Sequence, residues 1–544
     1  MAPVWHTWRR GLLAPVTVVL WTTAVFCWPL FRPGWFRSDE AASYPLRLVA
    51  FHAFVEDRCP SFRWSTLMSQ GYGYPFFDFY PPGVYVAAEG LHLLGFDYLD
   101  AYKALIVLLT LLQGIGVFAL ARSLFGPRAG VVAVAAYTLA PYHFACINRR
   151  GAIAEYAACA IAPFLFLTAR RLLAAPDTGR MVAFAIAFAA LPLTHNLGAL
   201  LFACAVVVFI GIEGTRASPR VWAAALLALT LGLCLSAFFW APAFFQRDLV
   251  HIEAALKDWF VWEKHFISPA ELLGIARDPK LAARGVGPVA LGLTILAVFR
   301  YRSHGRAFFA FLGLGLLASF MTLQASRPFW ASVPLLPFFQ FPWRFMMLAS
   351  LAFAITASAA VPEEWGLGWH LAVAALLAVA TGWYAILHRP MPVEEETLSR
   401  DYFLQNDVTT TFGEFLPVAS QTPPERRERD FVADGAAFEG ESRTACSLAA
   451  DVVTQENVEV RVASFYFPGL AFKLDGEKVR PLVFDDGLAR VMVPPGRHRL
   501  EVEYRGTELE RAMDRLSMIG AFGLLALFGY HLYRRRCHAH TQDL

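Results

Sequence analysis

Residues 70–85 read QGYGYPFFDFYPPGVY, with seven aromatics, three prolines, three glycines and a single acid, Asp78. Three prolines remove backbone donors and three glycines loosen the chain, so the stretch does not continue as a helix. It is also too apolar for a loop bathed in water. Aromatic side chains in such a setting suit the headgroup layer of a bilayer, where one end of a ring is dry and the other wet. The flanking sequence agrees. Apolar stretches long enough to cross a bilayer lie before it, at 11–31, and after it, at 101–122. Residues 83–94 suit a short surface helix, too short to cross. On this reading the segment from 70 to 95 bends over the mouth of the spans and walls a cavity.

The rest of the chain has the same character. Of 544 residues, 57% are hydrophobic and only 17% charged, and mean hydropathy is +0.45. A soluble chain of this length carries about a quarter charged residues. Twelve spans are expected, near 11–31, 101–122, 129–146, 155–172, 180–194, 197–213, 221–244, 285–300, 307–323, 345–361, 369–387 and 514–533. The fifth and sixth are short and meet at THN, 194–196, which suits a hairpin turning inside the membrane surface. A net charge of +3 is too small to point to nucleic acid.

Placement of the basic residues is more informative than their number. Clusters occur at Arg9 and Arg10, Arg122 and Arg128, Arg170, Arg171 and Arg180, Arg216 and Arg220, Arg300 to Arg306, and Arg534 to Arg536. With twelve spans all fall on one side, which the positive-inside rule makes cytoplasmic, together with both termini. The first span is long and lacks a small-residue cleavage site, so it reads as a retained anchor. Residues 32–100, 147–154, 245–284, 324–344 and 388–513 then lie outside, in a periplasm-like space of a bacterial inner membrane. Cys59 and Cys446 are both outside, and their wide separation leaves pairing open. Cys537, His538 and His540 read as a solvated tail rather than a metal clip.

Residues 388–513 change period. NVEVRVASFYF at 457–467 alternates, FKLDGEKV at 472–479 carries an Asp-Gly hairpin signal, and VMVPPGRHRLEVEY at 491–504 reads strand, turn, strand. The expectation is a polytopic α-helical domain over 1–387 with outer loops 32–100 and 245–284. A small periplasmic β-sandwich over 388–513 and a last span and tail over 514–544 follow. The sandwich serves either as a binding module or as a structural lid.

RSDEAASYPLR at 37–47 places Asp39 and Glu40 just beyond the first span, at the start of a helix running to about Val55. Acids there also suit a helix N-terminus. An acid pair outside the first span, followed by an aromatic loop, resembles the GT-C superfamily of membrane glycosyltransferases. ARSLFGPRA at 121–129 and the polar cluster NRRGAIAE at 148–155 resemble further parts of that plan. A closer resemblance is to a bacterial membrane family labelled as related to 6-pyruvoyl-tetrahydropterin synthase, and to lipoteichoic-acid glycosylating proteins. It rests on GYGYPFFDFYPP at 71–82, THNLGA at 194–199, QFPWRF at 340–345 and YFPGL at 466–470. A pterin synthase is a small soluble zinc enzyme, and no three histidines gather here at metal-ligand spacing outside the membrane.

The resemblance implies an inverting transferase that moves a sugar from polyprenyl phosphate to a glycan, lipid or protein acceptor. Asp39 would be the base. Glu40 would orient the acceptor or, with Asp39 and Glu155, hold a divalent cation, Mg or Mn. In the lipid A aminoarabinose transferases, which the loop also resembles, a lysine near the position of Tyr80 meets phosphate. Here the first outer loop has no lysine, and the chain holds six lysines against 41 arginines. Phosphate therefore falls to arginine: Arg58, Arg63, Arg149, Arg150 or Arg344. Asp78, Tyr80 and His195 complete the candidate substrate contacts, with His195 equally suited to capping a helix. A lipid or polysaccharide transporter and a non-catalytic scaffold remain the other readings. Sparse charge within the spans and no obvious duplicated halves speak against the first. Tolerance of Asp39→Asn would favour the second.

Overall fold

The computed structural model describes residues 4–40, 43–300, 305–393, 397–406, 408–410, 413–420 and 429–540, with backbone only over 4–12 and 534–540. The side chains of Arg9, Arg10, Arg534 to Arg536, Cys537, His538 and His540, and part of the 300–306 cluster, lie outside the described residues.

The protein is a helical membrane protein. Seven described helices are long and apolar enough to cross a bilayer: Leu13–Phe31, Tyr98–Phe125, Pro127–Arg150, Ile153–Ala174, Asn196–Arg216, Leu367–Leu387 and Glu508–Tyr533. An eighth span results if Pro219–Leu235 and Ala237–Phe245, bent by 74°, are counted as one. The bend falls at Ser236, whose hydroxyl bonds back to the Gly232 carbonyl at 3.0 Å. Each of the twelve expected stretches forms helix, yet four are short. Thr178–Thr194, Pro288–Arg300, Arg306–Thr322 and Met346–Ser358 have 13 to 17 residues. That is about 20–25 Å, less than the ~30 Å hydrocarbon layer. Met346–Ser358 is buried along its whole length, so its uniform apolarity reflects packing on all sides rather than lipid contact.

Local chemistry sets several boundaries. Asp97 accepts from the Asp100 amide at 2.7 Å and starts the helix 98–125. Gly126, at φ +100, and Pro127 break it from the next. Basic residues such as Arg128 and Arg170 lie at one end of the bundle. The larger segments 32–100, 245–284 and 388–513 gather at the other.

The rings of the aromatic stretch 70–85 pack against protein. Tyr72, Tyr74, Phe76, Phe77, Phe79 and Tyr85 are all buried, and only Tyr80 is half open. Phe76 and Phe79 meet Phe415, Phe77 meets Phe51 and Phe54, and Tyr72 meets Phe465. The sequence shows seven rings in need of cover but does not show what covers them. Here the cover is protein. The short helix Gly83–Leu93 follows as expected, and its exposed apolar residues are Val86, Leu93 and Leu94.

Residues 431–504 form two facing sheets. One runs Phe431–Val432, Val458–Phe465, Leu488–Val493, Leu482–Val483. The other runs Ala436–Arg443, Ser447–Thr454, Gly496–Tyr504, Leu470–Leu474, Glu477–Val479. Alternating Val458, Val460 and Val462 from the first sheet and Leu448, Ala450, Val452 and Leu500 from the second fill the space between. Asp475 and Gly476, both at positive φ, close the expected hairpin. Links from this sandwich to the rest of the chain include the Cys59–Cys446 disulfide, the Phe465 amide donating to the Tyr72 carbonyl at 2.8 Å, and Trp64 stacked on Phe467 and Tyr504.

A buried polar knot locks the last helix in place. Arg63 donates to both Asp514 oxygens, at 2.7 and 3.1 Å, and to the Phe238 carbonyl at 2.6 Å. Its Nε lies 3.2 Å from Asp78, and Glu510 accepts from Tyr504 at 2.8 Å beside it. Arg63 and Asp78, expected as substrate contacts, are engaged here with each other and, for Arg63, with the last helix and the Phe238 carbonyl. Burial pushes the Asp78 carboxyl well up, with Glu510 adding to the effect and Arg63 opposing it. The folded protein thus holds this proton above the pH, about 4, at which the unfolded chain releases it. That contribution to stability is present below about pH 4 and is lost as pH rises through the folded pKa. Arg63→Ala, which strands buried acids, should destabilise by about 3–5 kcal/mol. Asp78→Asn keeps the shape and should leave the melting temperature at neutral pH unchanged or raised. Thermal melts of the two variants check this; a large loss for Asp78→Asn would mean the carboxylate is needed ionised.

Candidate active site

A cavity of about 590 Å³ lies at the loop-rich end of the bundle. It sits where Leu13–Phe31 and Pro127–Arg150 finish and Ile153–Ala174 and Asn196–Arg216 begin. Asp39, Glu40, Tyr80, Arg149, Arg150, Glu155, His195 and Arg344 all line it. These residues are far apart in sequence and come from five separate segments. Arg63 and Asp78 do not line it.

The acid pair is placed by backbone. Asp39 donates its amide to the Arg149 carbonyl at 2.8 Å, and Glu40 donates to that of Arg150 at 3.0 Å. The partner carbonyls belong to six residues of π-helix, Ala145–Arg150, a local widening frequent at functional sites. Gly151 follows at φ +69, and a Cβ there would fall 2.3 Å from Ser38 Oγ. Only glycine lets the two chains close. Asp39 and Glu40 stand in a turn rather than in helix, and the helix is described over Ser43–Glu56. Asp39 is exposed to the cavity, and no hydrogen-bond partner of its carboxylate is found among the described residues.

Glu155 is the buried centre of the opposite wall. Its Oε1 accepts from Arg150 at 2.8 Å and from the Tyr142 hydroxyl, and its Oε2 lies 3.4 Å from Arg344 Nε. Arg344 also donates to Phe339 O and Gln340 Oε1, each at 2.8 Å. Arg150 and Arg284 both lie over the Trp343 ring, at 4.5 and 5.4 Å. Arg149 reaches the Lys280 carbonyl at 3.1 Å. On the acid side, Arg47 lies 3.9 Å from Glu40 and over the Phe76 ring, and Tyr80 and Tyr44 share a hydroxyl contact of 2.9 Å.

Two titrations follow from this arrangement. Glu40 is open to the cavity but cut off from bulk water by its walls. That burial raises its carboxyl above the ordinary range, against the pull of Arg47, Arg150 and Arg344. Burial lowers His195 to about 3, so the ring is neutral. Its Nδ1 accepts from the Gly198 amide at 2.9 Å, capping the helix 196–213. With Nδ1 accepting, Nε2 carries the proton. His195 is a helix cap that also lines the cavity.

Asp39, Glu40 and Glu155 do not fit a divalent cation. Two guanidinium groups and a phenol already occupy the Glu155 carboxylate, and their charge repels a metal. Glu40 faces Arg47. Among the described residues no three His, Cys, Asp or Glu side chains converge on a common point. Sequence reasoning did not single out Arg47, Arg284, Tyr142 or Trp343. Arg284 carried the same signal as its neighbours, a cation in an expected outer loop. Tyr142 carried none.

This is a membrane protein with a charged cavity at one end of its helical bundle. The chain belongs to the family of membrane proteins defined by the 6-pyruvoyl-tetrahydropterin synthase related domain, whose model matches residues 77–391. Among curated proteins no match is found. Of solved structures, the arabinofuranosyltransferase AftD from Mycobacteria is similar at 18% identity and a TM-score of 0.44, over 70% of this chain and 27% of that one. ArnT from Cupriavidus metallidurans bound to undecaprenyl phosphate is similar at 14% identity and a TM-score of 0.30, over 67% of this chain and 77% of that one. The chain thus spans about a quarter of the length of AftD.

Gly151→Ala should force residues 38–40 away from the π-helical turn and cost about 1–3 kcal/mol. Hydrogen exchange is the check. The Asp39 and Glu40 amides should lose protection while those of the sandwich keep theirs; unchanged protection at both acids would show that the contact yields without moving them.

Proposed function

We propose that the protein is an inverting glycosyltransferase of GT-C type that takes a sugar from polyprenyl phosphate. The observation that carries this reading is a single cavity in which an open carboxylate, Asp39, faces a pole of arginines beside membrane-spanning helices. An acceptor hydroxyl attacks the anomeric carbon, its proton passes to Asp39, and the bond from that carbon to the phosphate oxygen breaks. Attack from the far face inverts the centre. Arg149, Arg150, Arg284 and Arg344 stabilise the phosphate as charge builds on it, the task a metal would otherwise have. Glu40, held by Arg47, orients the acceptor. Glu155 holds Arg150 and Arg344 in place.

The reaction is placed on the periplasmic face of a bacterial inner membrane, with twelve spans and both termini cytoplasmic. The basic clusters at the opposite end of the bundle support that orientation. The Cys59–Cys446 bond supports it too, since disulfides persist in oxidising compartments. The acceptor is a glycan, lipid or protein.

Asp39→Asn keeps shape and removes the proton acceptor, so transfer of labelled sugar from polyprenyl phosphate in reconstituted vesicles should fall about 10²–10⁴-fold, with a normal melt. Normal transfer would sink the assignment and favour a scaffold. Arg149 and Arg284 hold the loosest internal partners in the arginine pole. Alanine at either should weaken binding of polyprenyl phosphate about ten- to a hundredfold, measured by titration in detergent. Unchanged binding in both would move the phosphate elsewhere.

A further inference from the structure

Described residues of the connector between helix Leu367–Leu387 and the sandwich line a wall of the same cavity. Tyr402, Asn406, Val408, Thr409, Thr410 and Glu414 are among them, and four of these six are neutral and polar. We propose that this connector is the recognition wall for the donor's sugar ring. The inference rests on the glycosyl-transfer reading above and names the part of the cavity that reads the sugar.

Hydrogen-bond polarity carries the argument. Asn406 spends one of its two amide N–H groups on the Tyr402 carbonyl at 2.9 Å. Thr409 spends its hydroxyl proton on the Thr410 carbonyl at 3.1 Å. What these side chains have left is mostly acceptor capacity, Asn406 Oδ1 and the Thr409 lone pairs, beside one remaining N–H of Asn406. The arginine pole and His195 Nε2 offer only donors. A glycosyl phosphate has the complementary pattern, because its phosphate only accepts and its hydroxyls donate. A neutral polar wall in the same cavity as a donor-rich cationic pole offers partners for both parts of such a ligand.

Several described residues of this wall are anchored to the rest of the chain. Arg400 bonds Glu56 at 2.7 Å and Asp57 at 3.0 Å. Phe403 is buried. Tyr74, from the aromatic stretch, meets Thr410 Oγ1 at 2.7 Å and accepts from the Phe415 amide at 3.1 Å. Acceptors fixed in advance discriminate between sugars, since a hydroxyl of the wrong configuration leaves one unpaired.

The test uses the full chain in detergent, with methyl glycosides of glucose, mannose, galactose and arabinose as probes read by saturation-transfer NMR. Bare decaprenyl phosphate, and the same lipid carrying the preferred sugar, are titrated in parallel. At least one glycoside should bind the wild type. Asn406→Ala and Thr409→Val should each weaken that glycoside and the glycosylated lipid about tenfold, and leave bare decaprenyl phosphate unaffected. Thermal melts accompany both. Thr409→Val exchanges only a hydroxyl for a methyl and decides the matter if Asn406→Ala melts early. The proposal is overturned if no glycoside binds the wild type or if Thr409→Val binds as the wild type does. It is also overturned if only the free glycoside weakens, which would make the wall an acceptor site. Failure of bare decaprenyl phosphate to bind the wild type would sink the glycosyl-transfer reading by itself, with the free-glycoside arm still reporting on the wall.

Discussion

Everything at the loop-rich end is arranged about one buried carboxylate. Glu155 is almost wholly removed from solvent, and a charge so placed costs several kcal/mol unless it is paired and hydrogen-bonded. Arg150, Arg344 and Tyr142 supply that pairing. The requirement runs in both directions. To satisfy Glu155 the chain must bring Arg150 up from a π-helical turn and Arg344 from the start of a distant helix. Once there, both arginines present the rest of their guanidinium groups to the cavity. A stabilising constraint on the bundle thus creates the cationic surface that a phosphate needs. Trp343 extends it, because its ring face receives Arg150 and Arg284 together.

Much of this was legible in the sequence, for different reasons in different places. The helices declared themselves by apolar length, and the sandwich by alternation and an Asp-Gly turn. Outer-side arginines beside spans stood out against the positive-inside trend, and Arg149, Arg150 and Arg344 indeed share the cavity with Asp39 and Glu40. Arg63 carried the same signal and lies elsewhere, since a signal based on sidedness cannot tell a cavity from a buried ion pair. The aromatic stretch misled for a related reason. Rings that suit a headgroup layer suit a protein core equally well, and the partner that covers them, Phe415, lies more than three hundred residues away.

The connector could not have been found by pattern at all. Asn406 and Thr409 are ordinary polar residues in an irregular segment. Their interest arises only from which atoms are already engaged and which remain. Capping by His195 is similar: the sequence permits a cap, and the geometry shows one, with the ring at the cavity wall.

The bond between Cys59 and Cys446 carries a consequence for biogenesis. The two residues are separated by 387 positions, and all but the first and last of the long helices lie between them. Cys59 emerges early and must wait, unpaired, while those helices are threaded into the bilayer. Its partner follows only after all of these helices, with the last span still to come. Closure of this bond is therefore a record that insertion finished with both ends of the intervening chain on the same side. A chain that mis-threads an odd number of helices leaves its two thiols in different compartments, visible to quality control as an unpaired cysteine.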